Sequence, residues 1–119
     1  MDKTESKIQQ EIVMWFRNNY CLKHHNPRNC IFSIPNESEG KSEMMYKKAI
    51  GLFPGASDLI ILLPKKCVFV EVKTEKGKQS ERQIEFEKIV KDLGFAYLLV
   101  RSLDDFINKL QSLGFKSES

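Results

Sequence analysis

A mixed α/β sheet with helices on both faces, in the order α-β-β-β-α-β-α, is the fold class this sequence predicts. Three observations carry it. An apolar stripe at helical spacing opens the chain, two wholly apolar runs meet at Pro64-Lys65-Lys66, and a strand–helix–strand pattern follows from Cys67 to Val100.

Taken in order, residues from about Lys3 to Leu22 read as a helix, because Ile8, Ile12, Trp15 and Phe16 recur on one face. Asn18-Asn19 and His24-His25-Asn26-Pro27 end it, and Cys30 to Ile34 forms a short strand closed by Pro35. From Asn36 to Lys48 the chain is polar, too hydrophilic for core and long for a connector, which is the mark of a functional loop. Gly51-Leu52-Phe53-Pro54-Gly55-Ala56 is a punctuated turn leading into the strand Asp58–Leu63. Pro64-Lys65-Lys66 turns the chain into Cys67–Lys73. Both of these strands are apolar on both faces, so the hairpin should occupy the middle of a covered sheet. A helix begins at Ser80 with the stripe Phe86, Ile89, Val90 and Leu93, and Gly94 stops it. Phe95–Val100 is a strand, expected parallel to the preceding one through a right-handed crossover. Ser102 caps a last helix through Leu113, which ends at Gly114.

With 119 residues the chain suits a single domain, 1–119, with one core. It is 41% hydrophobic and 29% charged, the balance of an ordinary globular protein. It holds no apolar run of about 18 residues that would span a membrane. Its polar start, Met1-Asp2-Lys3-Thr4-Glu5, lacks a signal peptide's apolar stretch, so a cytoplasmic location is the expectation. Three cysteines cannot all pair, which argues against a disulfide framework. Cys21, His24, His25 and Cys30 offer four possible zinc ligands, but their spacing fits no familiar zinc module. A net charge of +3 permits nucleic-acid binding without requiring it.

The chemistry concentrates on the central hairpin. Counted from a turn centred near Lys65, Asp58 and Glu71 fall nearly opposite one another and on one face of the sheet. Their Cβ atoms are then about 4.5–5.5 Å apart. Lys73, two residues beyond Glu71, projects to the same face. Opposed like charges in an apolar strand pair are destabilising unless something offsets them. A divalent cation does so, since Mg²⁺ favours one or two carboxylates with waters and phosphate oxygens. Such an ion polarises a phosphate and activates water, and Lys73 would stabilise the charge that develops. The plainer alternative has Asp58 capping the Gly-Pro turn, with Glu71 and Lys73 solvated near a strand end.

Glu11 shares the apolar face of the first helix, where a carboxylate is costly without a partner or a metal. Alternatively it lies at the stripe's edge and pairs with Lys7. Gln83 completes a capping box with Ser80, yet it also precedes Phe86 by three residues and can face Glu71 and Lys73. Local pattern leaves both roles open.

Together these residues resemble the virus-type replication-repair nuclease (VRR-NUC) domain of the PD-(D/E)xK nuclease superfamily. The resemblance runs from Glu11 to the last helix. Its markers are Glu11, Pro35-Asn36-Glu37, Gly51-Leu52-Phe53-Pro54-Gly55-Ala56-Ser57-Asp58 and Glu71-Val72-Lys73. Further markers are Gly77 with Ser80 and Gln83, Gly94-Phe95-Ala96-Tyr97, and Val100-Arg101-Ser102. The family usually has proline where Ser57 stands here, a position that shapes the turn rather than the chemistry. The resemblance implies that Glu11, Asp58, Glu71 and the Val72 carbonyl bind Mg²⁺ or Mn²⁺, that Lys73 is catalytic and that Gln83 assists.

Small members of this family are typical of phages and are similar to Holliday-junction resolvases, which act as homodimers. The resemblance therefore implies a structure-specific DNA endonuclease for branched DNA in phage replication, recombination or repair, working in the host cytoplasm. Lys41, Lys47, Lys48, Lys76, Lys78 and Arg82 are candidate phosphate contacts, although for any one of them a solvated surface charge is the favoured reading. Competing expectations are a nuclease for flapped, nicked or simple duplex DNA, and a binding module that does not cut.

Overall fold

The structure, a computed structural model, describes residues 3–35 and 40–115. The element order is α1 (Glu5–Tyr20), β1 (Cys30–Ser33), α2 (Lys41–Ala49), β2 (Leu59–Leu63), β3 (Lys66–Val72), α3 (Glu81–Asp92), β4 (Ala96–Val100) and α4 (Leu103–Ser112). The strands form one mixed sheet in the order β1-β2-β3-β4, antiparallel except for the β3–β4 pair. The fold class is the one the sequence predicts, with the hairpin central, but there is one more helix.

That helix, α2, corrects the expectation of a loop over Asn36–Lys48. It buries no residue, so no apolar stripe announced it. Its cohesion is local, with an acid in the first turn, two lysines in the last and a Glu43–Lys47 pair one turn apart. Asn36 and Glu37 lie outside the described residues.

One face of the sheet is the main core. Alternation along β3 turns Val68, Val70 and Val72 toward it, and Leu59, Ile61 and Leu63 of β2 join them. α1 meets this face with Ile8, Ile12, Phe16 and Tyr20, a strict every-fourth-residue line, and α4 adds Phe106 and Leu110. Each such side chain contributes about 1.5–3 kcal/mol on full burial. Trp15, counted above in the buried stripe, is only half-buried and sits edge-on to Phe106.

The opposite face is covered less completely. Phe69 packs against Phe86 of α3 (ring centroids 5.6 Å apart), and Phe86 in turn meets Phe53 and Tyr97. On β2, however, Leu62 is 44% exposed, so the expectation that both faces of both strands are covered holds for β3 better than for β2. Of the predicted α3 stripe, Val90 is buried, whereas Leu93, at the helix's C-terminal cap, is exposed.

The hairpin turn is tighter than the sequence indicates. Leu63 pairs with Lys66, leaving Pro64-Lys65 as a two-residue loop in which Lys65 has φ +59°. Proline followed by a left-handed residue is the type II pattern.

Candidate active site

Asp58 and Glu71 are set by the hairpin register. Leu59 pairs with Val70, so one step outward the same register opposes Asp58 to Glu71. Asp58 lies just beyond the ladder, where its Oδ2 accepts the Val72 N–H at 2.8 Å and its backbone carbonyl accepts the Ile34 N–H at 3.0 Å. Both contacts pin the carboxylate at the end of β3. Val72 thus turns its N–H toward the Asp58 side, and an extended residue's carbonyl projects to the same edge as its N–H.

The turn before Asp58 is equally constrained. Gly55 has φ +91°, and a Cβ there would stand 2.5 Å from the Arg82 backbone, so the Gly-Pro turn presses directly on the first turn of α3. Ser57, in the position where proline was the family expectation, is fully buried and donates its hydroxyl to the Leu59 carbonyl at 3.2 Å. That bond satisfies the buried polar group and ties the turn to β2.

Glu71 alternates with the core valines and therefore faces α3. It is 1% exposed, and its Oε1 is buried with no hydrogen-bond partner among the described residues. Burial, followed by the neighbouring Asp58 carboxyl, pushes its pKa up to about 9; Lys73 opposes the rise and Glu5 adds to it. Without a further cation the pair holds a proton at neutral pH. Lys73, also buried, follows on the same face. Asp58 is only half-buried, so the pair is open to solvent on its side.

Gln83 both closes the cap and reaches Glu71, because an amide has two ends. Its Oε1 accepts the Ser80 N–H at 2.9 Å, closing the capping box, while its Nε2 donates to Glu71 Oε2 at 3.3 Å. The cap of α3 thereby delivers a donor to the buried carboxylate. Behind it, Gln79 donates to Glu87 (3.0 Å) and to the Tyr97 hydroxyl (3.2 Å), bracing the segment between β3 and α3.

Glu11 is not among these groups. Its carboxylate takes two bonds from Lys3 Nζ, at 2.9 and 2.7 Å, rather than pairing with Lys7. Glu5, also on α1, adds the smallest of the named contributions to the rise at Glu71, and nothing in the sequence analysis singled it out. The signal was present: Glu5 stands three residues before Ile8 and seven before Ile12, in line with the buried stripe. Lys76, Lys78 and Arg82 are exposed on the segment joining Lys73 to α3 and on its first turn, whereas Lys41, Lys47 and Lys48 lie on α2. His25 Nδ1 accepts the Leu22 N–H at 2.8 Å, an ordinary turn contact.

The residues present fit a divalent cation. Among the described residues no three His, Cys, Asp or Glu side chains gather as one metal-holding group. Two carboxyls do meet, and the Val72 backbone lies against one of them through its N–H. That pair of carboxyls is the sparse oxygen set Mg²⁺ takes when waters and a phosphate complete its shell.

No family model matches the sequence, and no curated protein does. Among solved structures, a protein described as a VRR_NUC domain protein superposes with a TM-score of 0.74 at 19% identity. The match covers 93% of this chain and 88% of that one. Agreement over nearly the full length of both chains establishes that this protein has the VRR-NUC fold.

Proposed function

We propose that the protein is a divalent-metal-dependent DNA endonuclease that hydrolyses phosphodiester bonds. The observation that carries this is Glu71, a fully buried carboxyl set against the Asp58 carboxyl and followed by Lys73 at the end of a central strand. Two carboxyls held together in a buried place repel one another when both are ionised, and a bound cation relieves that repulsion.

Asp58, Glu71 and the Val72 carbonyl would hold Mg²⁺ or Mn²⁺. When bound, the ion polarises the scissile phosphate and makes water a stronger nucleophile at neutral pH. The chain's own groups do the rest. Lys73, buried on the same face, would present a positive charge where negative charge accumulates on the phosphate oxygens. Gln83 donates to one oxygen of the Glu71 carboxylate and would leave the other available to the cation. Lys76, Lys78 and Arg82 border the site and would hold the flanking backbone phosphates. Lys41, Lys47 and Lys48 would reach the DNA from α2. Glu11 would join the metal set only by releasing Lys3.

Within this reading the substrate is branched DNA such as a Holliday junction, cut by a homodimer whose two sites act on two strands. The test offers four-way junctions, flaps, nicked and linear duplex, and single strands, with Mg²⁺, Mn²⁺ or EDTA, and with Asp58→Ala as control. Metal-dependent cutting lost in Asp58→Ala is expected. Binding without cutting on every substrate would overturn the enzyme and leave a DNA-binding module, and equal cutting of all forms would remove the branched-DNA preference. Sedimentation with and without junction DNA tests the homodimer.

A further inference from the structure

Arg101, just beyond the end of β4, makes an arrangement that the site described above does not use. The two N–H groups of its Nη1 reach three backbone carbonyls, Thr74 (2.7 Å), Gly77 (2.7 Å) and Glu75 (3.2 Å), one hydrogen being shared. These carbonyls belong to the turn that follows Lys73, closed by a Gly77 N–H to Thr74 carbonyl bond of 3.1 Å. Three carbonyl dipoles converging on one point need a cation between them, and hydrogen bonds to a charged donor are about twice as strong as neutral ones.

The turn lies against Lys73. A Cβ placed on Gly77 would stand 3.5 Å from Lys73 Cδ and 3.0 Å from Thr74 Oγ1. Gly77 is thus the floor along which the lysine stem runs. Arg101 is itself held firmly, because its backbone N–H donates to Asp105 Oδ2 at 2.9 Å and Lys109 closes on the same carboxylate. The path runs from the capped start of α4 through Arg101 to the turn, and from the turn to the lysine.

We propose that Arg101 is a positioning residue for Lys73, acting through the Thr74–Gly77 turn; its catalytic meaning rests on the nuclease reading above, its structural meaning does not. Arg101→Met keeps the aliphatic stem and removes the donors. Arg101→Lys restores a cation, though a shorter one that lacks the guanidinium's spread of donors.

The primary readout needs no cutting. Limited acylation of surface amines, followed by peptide mass spectrometry, measures the reactivity of the Lys73 amine, with Lys65 and Lys66 on the distant hairpin turn as internal references. Amide hydrogen exchange follows residues 74–78 in the same samples. In Arg101→Met, Lys73 labelling should rise at least fivefold and exchange over 74–78 should quicken, with β2 and β3 unchanged; Arg101→Lys should fall between. With active enzyme, kcat should drop about tenfold while KM stays within twofold, a loss of about 1.4 kcal/mol in the transition state. Unchanged Lys73 labelling and unchanged exchange in Arg101→Met overturn the proposal. So does faster exchange throughout the molecule, which would make Arg101 a general stabiliser. If the wild type cuts no DNA, the nuclease reading fails while the labelling still decides the role of Arg101.

Discussion

Replacing Glu71 by glutamine should abolish a pH dependence of stability that the metal-free protein shows between weakly acidic and alkaline solution. The carboxyl is raised from an ordinary value near 4.5 to about 9 in the folded state. A folded pKa above the unfolded one means that the native protein binds the proton more tightly. Its stabilising effect is complete below the unfolded pKa and is lost as pH rises toward the folded one. Between pH 5 and 7.5 most of a proton's worth of linkage applies, so wild-type stability should fall by on the order of 3 kcal/mol. For a domain of this size that is roughly a 10 °C drop in Tm.

Glu71→Gln carries a neutral group of the same shape that still accepts from Gln83, so its profile should lack this component. It should also exceed the wild type in stability at pH 8 without metal. Because other titrating groups are common to both proteins, the difference between their urea midpoints in EDTA, followed from pH 5 to 9, isolates the residue. Adding Mg²⁺ should restore the wild type at pH 8 and leave the variant unmoved, since a ligand stabilises only the state that binds it. Parallel pH profiles for the two proteins would refute the reasoning, for Glu71 would then titrate as an ordinary solvated acid.

Other perturbations have separate outcomes. Gly55→Ala should cost more than 2–3 kcal/mol, roughly the sum of left-handed strain and a backbone clash at 2.5 Å with Arg82, read as a lowered urea midpoint; a neutral result would mean that the turn does not bear on α3. Lys65→Gly, at φ +59° in the hairpin turn, should instead raise stability by about 0.5–1 kcal/mol. Ile12→Ala, at a site with no exposed surface, should lose about 2–5 kcal/mol in the same titration. Glu11→Gln should change stability by less than about 1 kcal/mol, because the Lys3 end of the pair it breaks is exposed to solvent. Calorimetric Mg²⁺ titration should find affinity weakened more by Glu5→Gln than by Glu11→Gln; the reverse order would assign Glu11 to the metal.

Much of the fold was legible because it is written in local periodicity. The every-fourth-residue stripe of α1, the two apolar runs of the hairpin and the Ser80 and Ser102 caps each announce an element through neighbours a few residues apart. The opposition of Asp58 and Glu71 was legible for the same reason, since a tight hairpin converts sequence distance from its turn directly into register. α2 was not, because a helix that buries nothing leaves no apolar pattern to read.

The sequence by itself determined every element type except α2, the central hairpin and the opposition of Asp58 and Glu71, all of which depend on spacing within one segment. Only the tertiary structure decided what surrounds that pair. It paired Glu11 with Lys3, gave Gln83 its second bond, pressed Gly55 onto α3 and laid Arg101 across the turn beyond Lys73. All but the first of those contacts join residues brought together by packing of separate elements, and the direction of a side chain across such a junction is set by how helices and sheet meet, which no local pattern encodes.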